Sequence, residues 1–177
     1  MNFKSLSLSL FLGLSVMPAA QAAQCPKSRP PVVVSTIIQS TAQEVWDVML
    51  DFKNYADWNR WVVRIDGDPI RGGWVRAYNA QGAALDLRIT SIQAHQSICW
   101  TDVTWFTHFG VGGWRCRNIE VLPDGQGVKV TNHFEYTGVF ALALDLASRK
   151  YLEYGMKLEN ESLRDFVEGR RRESTAP

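Results

Sequence analysis

From residue 32 onward, hydrophobic and polar positions fall into short blocks of two different periods. Residues 32–38 (VVVSTII) are mostly β-branched and read as a strand. Ser40-Thr41-Ala42-Gln43-Glu44 then has the form of a helix start, a Ser or Thr cap followed by Glu. Val45, Trp46, Val48, Met49 and Phe52 supply one apolar face of a short helix, and a second short helical stretch is expected near 54–58. Six strands are expected next, over 61–66, 74–79, 83–94, 97–107, 114–122 and 128–137. Turn-forming stretches such as Gly67-Asp68-Pro69 and Pro123-Asp124-Gly125-Gln126-Gly127 separate them. Connections this short favour antiparallel neighbours. After Gly138, Phe140, Leu144, Ala147, Tyr151, Tyr154, Leu158 and Phe166 keep helical spacing and predict one helix of about 30 residues, roughly 45 Å long. Strands segregated from helices in this way give an α+β domain with an antiparallel sheet of about seven strands.

The first residues follow another pattern. Lys4, an apolar run over 6–16 and the small-x-small site Ala20-Gln21-Ala22 read as a secretory signal peptide spanning 1–22. The run is too short to span a bilayer, so no stable membrane span is expected after cleavage. A Pro-rich leader over 23–31, a domain over 32–169 and a disordered tail over 170–177 complete the division. The expected location is periplasmic or secreted.

Export makes the cysteines Cys25, Cys99 and Cys116 relevant. Cys99 and Cys116 share one face by strand parity. A hairpin closed over 108–113, however, would set Cys99 near Glu120 and Cys116 near Val103, about four residues out of register. Two unpaired thiols are the expectation; a disulfide would need a wide or bulged connection.

The chain carries 19 Lys and Arg against 18 Asp and Glu, and loss of Lys4 with the signal brings the balance to zero. That offers no electrostatic basis for nucleic-acid binding. The seven Trp all lie beyond the signal and argue for a packed domain. His95, His108 and His133 have no metal-ligand spacing, and no cofactor motif or catalytic triad pattern is present, so neither a metal nor a cofactor is expected.

The element order, with Val45-Trp46-Asp47-Val48, Tyr55-Ala56-Asp57-Trp58-Asn59 and Phe134-Glu135-Tyr136-Thr137-Gly138, resembles the START-like or SRPBCC superfamily. This group includes the polyketide cyclase/dehydrase-like and Bet v 1-like proteins. Arg60 departs from it, standing where the family often has proline. The resemblance implies a helix-grip fold, in which a curved sheet wraps a long C-terminal helix around an apolar cavity for hydrophobic small molecules.

The strand alternation implied by that resemblance turns Leu85, Leu87 and Ile89 inward, with Ile98, Trp100, Asp102 and Thr104. It also turns Arg115, Arg117, Ile119 and Val121 inward, with Val128, Val130, Asn132, Phe134 and Tyr136. Tyr151 and Tyr154 of the long helix would stand near Trp100. The candidate ligand-binding residues are therefore Trp100, Asp102, Arg115, Arg117, Asn132, Phe134, Tyr136, Tyr151 and Tyr154. Two readings of the charged set stay open. Asp102 pairs with Arg115 or Arg117 as a structural ion pair, or one Arg is spare for a ligand carboxylate. No His or Glu is expected to face inward. The leading expectation is an exported protein binding a hydrophobic small molecule or lipid, with an acidic group on it if one Arg is spare. One alternative is a cyclase, dehydratase or hydrolase acting in the same cavity; another is an interaction module with a filled core.

Overall fold

The computed structural model describes residues 29–102 and 110–174. The elements are β1 (Val32–Ile38), α1 (Ala42–Leu50), a 3-10 segment (Phe52–Asp57), β2 (Val62–Asp66), β3 (Trp74–Asn79), β4 (Ala84–Gln93), β5 (Ser97–Asp102), β6 (Gly112–Val121), β7 (Val128–Thr137) and α2 (Ala141–Ser174). The strands form one antiparallel sheet in the order β1-β7-β6-β5-β4-β3-β2. β2 to β7 are a meander of adjacent strands, and β1 closes the far edge against β7. α2 packs on β1 and β7, which gives the expected α+β helix-grip arrangement. The signal-peptide reading, Cys25, His108 and Thr104 all lie outside the described residues.

Local signals explain the helical layer. Thr41 accepts from the Glu44 backbone N–H at 3.2 Å, while the Glu44 carboxylate accepts from the Thr41 N–H at 3.1 Å. This reciprocal cap, joined by the Ser40 hydroxyl, also holds the Glu44 carboxyl below its usual pKa range. α1 then buries Val45, Trp46, Val48 and Met49 against the sheet.

α2 departs from its expected stripe. Its buried positions include the apolar Met156, Leu163 and Val167 and the polar Asp145, Glu159, Asn160 and Ser162, whereas Tyr151 and Tyr154, and Phe140 just before the helix, are exposed. The apolar spacing was real, but its N-terminal half lies on the solvent side, and four polar residues are buried. α2 also continues through Ser174, so residues 170–174 are helical and not the start of a disordered tail. Gly155 is required where α2 crosses Trp61. A Cβ built on it would come within 2.1 Å of the indole, so only hydrogen fits.

The sheet register corrects the cysteine expectation. Cys99 faces Cys116 directly across β5 and β6, with Cα atoms 4.1 Å apart, and the two form a disulfide. The observed register is four residues different from that of a hairpin closed over 108–113; the stretch 103–109, over which the strand was expected to run on, lies outside the described residues. The register follows from the inner face, where Ile98 stands beside Arg117 and Trp100 beside Arg115. A one-residue slip would have turned these outward. Val121 and Leu85, expected inward, are exposed at strand ends.

The disulfide closes a loop with a sequence separation of 17. Replacing both cysteines with alanine, or reducing them, should cost about 3 kcal/mol. Guanidinium unfolding with and without reductant checks this; identical midpoints would show that the bond contributes nothing.

Candidate functional site

The inner face of β6 carries Arg115 and Arg117, two residues apart and both almost wholly buried. Each is flanked across the sheet: Arg115 by Trp100 and Phe134, Arg117 by Ile98 and Asn132. Glu159 descends from α2 onto this pair, and its carboxylate accepts from both guanidiniums. Asn59, just past the 3-10 segment, donates its amide to the same carboxylate. Its own side-chain oxygen accepts the Trp61 and Val62 N–H groups, both at 2.9 Å. Asn132 accepts from Arg115 Nη2 at 3.0 Å and donates to Asn160 at 2.7 Å, and Asn160 reaches the Val34 carbonyl of β1. The Tyr55 hydroxyl accepts from Arg117 Nη1. This network joins β1, β6, β7, the 3-10 segment and α2.

Aromatic rings line the guanidiniums. Arg115 lies 5.2 Å from the Trp61 ring and 5.4 Å from Trp100; Arg117 lies 5.3 Å from Trp100 and 5.8 Å from both Tyr55 and Trp58. Such distances favour cation–π attraction in a desolvated setting. Burial pushes both Arg side chains down to about 10, still cationic at neutral pH. Arg117 Nε is buried without a hydrogen-bond partner.

Between the sheet, α1 and the 3-10 segment lies an internal cavity of about 40 Å³. Its walls are apolar, among them Leu87, Ile89 and Ile98, apart from Trp100, Tyr55, Arg115 and Arg117. That is room for about one water. A wider groove of about 730 Å³ lies elsewhere, between α1, the 3-10 segment and the C-terminal end of α2.

Of the nine candidate residues, Trp100, Arg115 and Arg117 meet at the cavity. Asn132 is buried within the network behind them. Asp102 makes no ion pair with either Arg; it accepts the Gly113 N–H, and burial pushes its carboxyl up to about 6. Gly113 permits that approach, since a Cβ there would lie 2.7 Å from the carboxylate. Phe134 and Tyr136 meet edge to face and line a cleft with Pro30, Pro31 and Asp145, away from the cavity; Tyr136 also bonds Ser148 at 2.7 Å. Tyr151 is half exposed and accepts from Trp61 Nε1 at 3.3 Å, and Tyr154 is 65% exposed. The partner of the Arg pair is thus Glu159, not Asp102, and a Glu does face inward. Four further residues of the network, Tyr55, Asn59, Glu159 and Asn160, were not among the candidates. A Glu-Asn pair between apolar residues of a helix, Met156 and Leu163, was the available signal.

Residues 29–168 match the family described as polyketide cyclase / dehydrase and lipid transport. The chain belongs to this family. No curated protein sequence matches it. Solved structures share its fold. A hypothetical protein from Helicobacter pylori, jhp0584, is 15% identical with a TM-score of 0.65, covering 85% of this chain and 99% of that one. NE0264 from Nitrosomonas europaea is 9% identical with a TM-score of 0.64, covering 83% and 99%. DynU16, from a dynemicin biosynthetic locus, is 14% identical with a TM-score of 0.62, covering 81% of this chain and 48% of that one. Membership in the polyketide cyclase/dehydrase and lipid-transport family supports a ligand cavity between sheet and helix, and the Arg pair stands on its wall. No described helix is long and apolar enough to cross a membrane.

Two outcomes follow. Glu159→Leu strands two buried cations and should cost about 3–5 kcal/mol, while Arg115→Met/Arg117→Met/Glu159→Leu should recover most of that loss. Chemical unfolding of both variants decides it; a triple variant no better than the single one contradicts the role given to charge. Asp102, raised from 3.8 to about 6, stabilises the fold when protonated, below about pH 4, and that contribution is lost as pH rises through 6. Asp102→Asn should therefore gain up to about 3 kcal/mol on wild type between pH 4 and pH 7. Parallel stability curves for the two proteins would contradict this.

Proposed function

We propose that this chain is an exported binding protein that holds a hydrophobic small molecule between the sheet, α1 and the 3-10 segment. The observation that carries the reading is the apolar cavity whose polar wall is the Arg115–Arg117 pair beneath Trp100. The family description, which includes both cyclase/dehydrase and lipid transport, supports a role in this space. Binding is favoured over turnover because the Glu159 oxygens are taken up by three donors. Asp102, whose carboxyl burial pushes up to about 6, does not line the cavity. The signal-like N-terminus and the Cys99–Cys116 disulfide support an oxidising compartment such as the periplasm.

The cavity volume sets a bound on the ligand. About 40 Å³ admits only one to three heavy atoms as the walls stand, and anything larger requires wall side chains to move aside. That volume also favours a second reading, an interaction module with a filled core. In that case the exposed Val139, Phe140, Leu142 and Leu146 at the start of α2 would be the contact surface.

Native mass spectrometry of the full chain expressed with export to the periplasm separates the two readings. The binding reading expects a mature chain beginning at Ala23 with a non-covalent small-molecule adduct that organic solvent releases. A bare mature mass, with no extractable molecule, would favour the interaction module. A retained residue 1–22 segment would remove the export reading.

A further inference from the structure

Two buried guanidiniums share one contacting carboxylate. Arg115 and Arg117 are both cationic and almost wholly buried, and among the described residues the carboxylate that contacts them is Glu159. Asp102 is turned to the Gly113 N–H; it attracts Arg115 without forming an ion pair with it, and leaves Arg117 to Glu159. A buried cation without a counter-charge is expensive, and proteins seldom leave one uncompensated. The second observation is independent of the charge count. Arg117 Nε is a buried donor with no partner, although the other donors of that guanidinium reach Tyr55 and Glu159. The third is place: Arg117 and Arg115 both line the internal cavity of about 40 Å³, whose remaining walls are chiefly apolar.

We propose that this cavity is a site for one compact monoanion, with Arg117 Nε–H as its open donor and Arg115 completing the positive wall. The shared chemistry is a single negative charge on one to three heavy atoms. It can come as a free ion such as a halide or formate, or as the carboxylate head of a larger apolar molecule. A planar carboxylate suits a guanidinium edge, which offers Nε–H beside an Nη–H. A tetrahedral phosphate or sulfate is too large for the space as the walls stand. The inference rests on the reading of this space as the binding site and narrows its ligand to an acidic one.

The test is thermal unfolding of the mature protein against rising bromide, formate or sub-micellar decanoate, with ionic strength held constant by a bulky anion. An anion that binds only the folded state raises the midpoint along a saturating curve. Wild type should show this with at least one of the three, and Arg117→Met should abolish it while keeping the balanced Arg115–Glu159 pair. Ile98→Phe, which fills the cavity without touching a guanidinium, should abolish it as well and serves if the first variant does not fold. A response to bromide and formate identifies a free ion, and a response to decanoate alone identifies an acidic head on an apolar tail. No saturable response in wild type, or the same response in both variants, overturns the site. A neutral apolar adduct kept by Arg117→Met would remove the anion site and leave the binding role standing.

Discussion

Two guanidiniums share one carboxylate in the dry space between the sheet and its long helix, and the remaining structure is arranged around that fact. Each ion taken from water costs several kcal/mol, so each must find partners in fixed places. Glu159 supplies the charge from α2, Asn132 and Asn160 tie Arg115 to β7 and β1, and Tyr55 and Asn59 bring in the segment after α1. One network therefore sets both the rotation of α2 about its axis and its position along the sheet. An apolar core alone would leave these less determined, because many side-chain packings bury similar area.

The aromatic residues make that network tolerable. Trp61 and Trp100 flank Arg115, and Trp58, Tyr55 and Trp100 flank Arg117, so that the faces of the cations meet π-systems where hydrogen bonds do not reach. Trp61 can lie there only because α2 has Gly155 beneath it. The tryptophan content that marks this sequence is thus tied to its buried charge as much as to its apolar core. The same arrangement leaves Nε–H of Arg117, a residue that lines the small cavity, without a partner, and so the stability and the proposed binding of the protein rest on the same side chains.

The fold was legible because its signals are local or periodic. β-branched strands, turn residues and the Thr41–Glu44 cap each act over a few positions, and strand parity placed Arg115, Arg117 and Trp100 together on the inner face. What failed depended on length or on long-range pairing. The β5–β6 register is a pairing between distant positions, which the periodicity of either strand does not mark, and with it went the Cys99–Cys116 bond. The partner of the arginines could not be read from spacing either. Glu159 is polar in a helix whose more conspicuous apolar residues, Phe140, Tyr151 and Tyr154, face solvent. A buried carboxylate is recognisable only once its two cations are seen opposite it.

The central claim is that two buried guanidiniums share one contacting carboxylate, at a place an anion can enter. The most direct measurement is a crystal structure of the protein soaked in bromide, with data recorded at the bromine absorption edge. The account predicts an anomalous peak within hydrogen-bonding distance of Arg117 Nε, inside the cavity bounded by Ile89, Ile98 and Trp100. Bromide found only on the surface, with Arg117 Nε bonded to a protein oxygen or an ordered water, would contradict it.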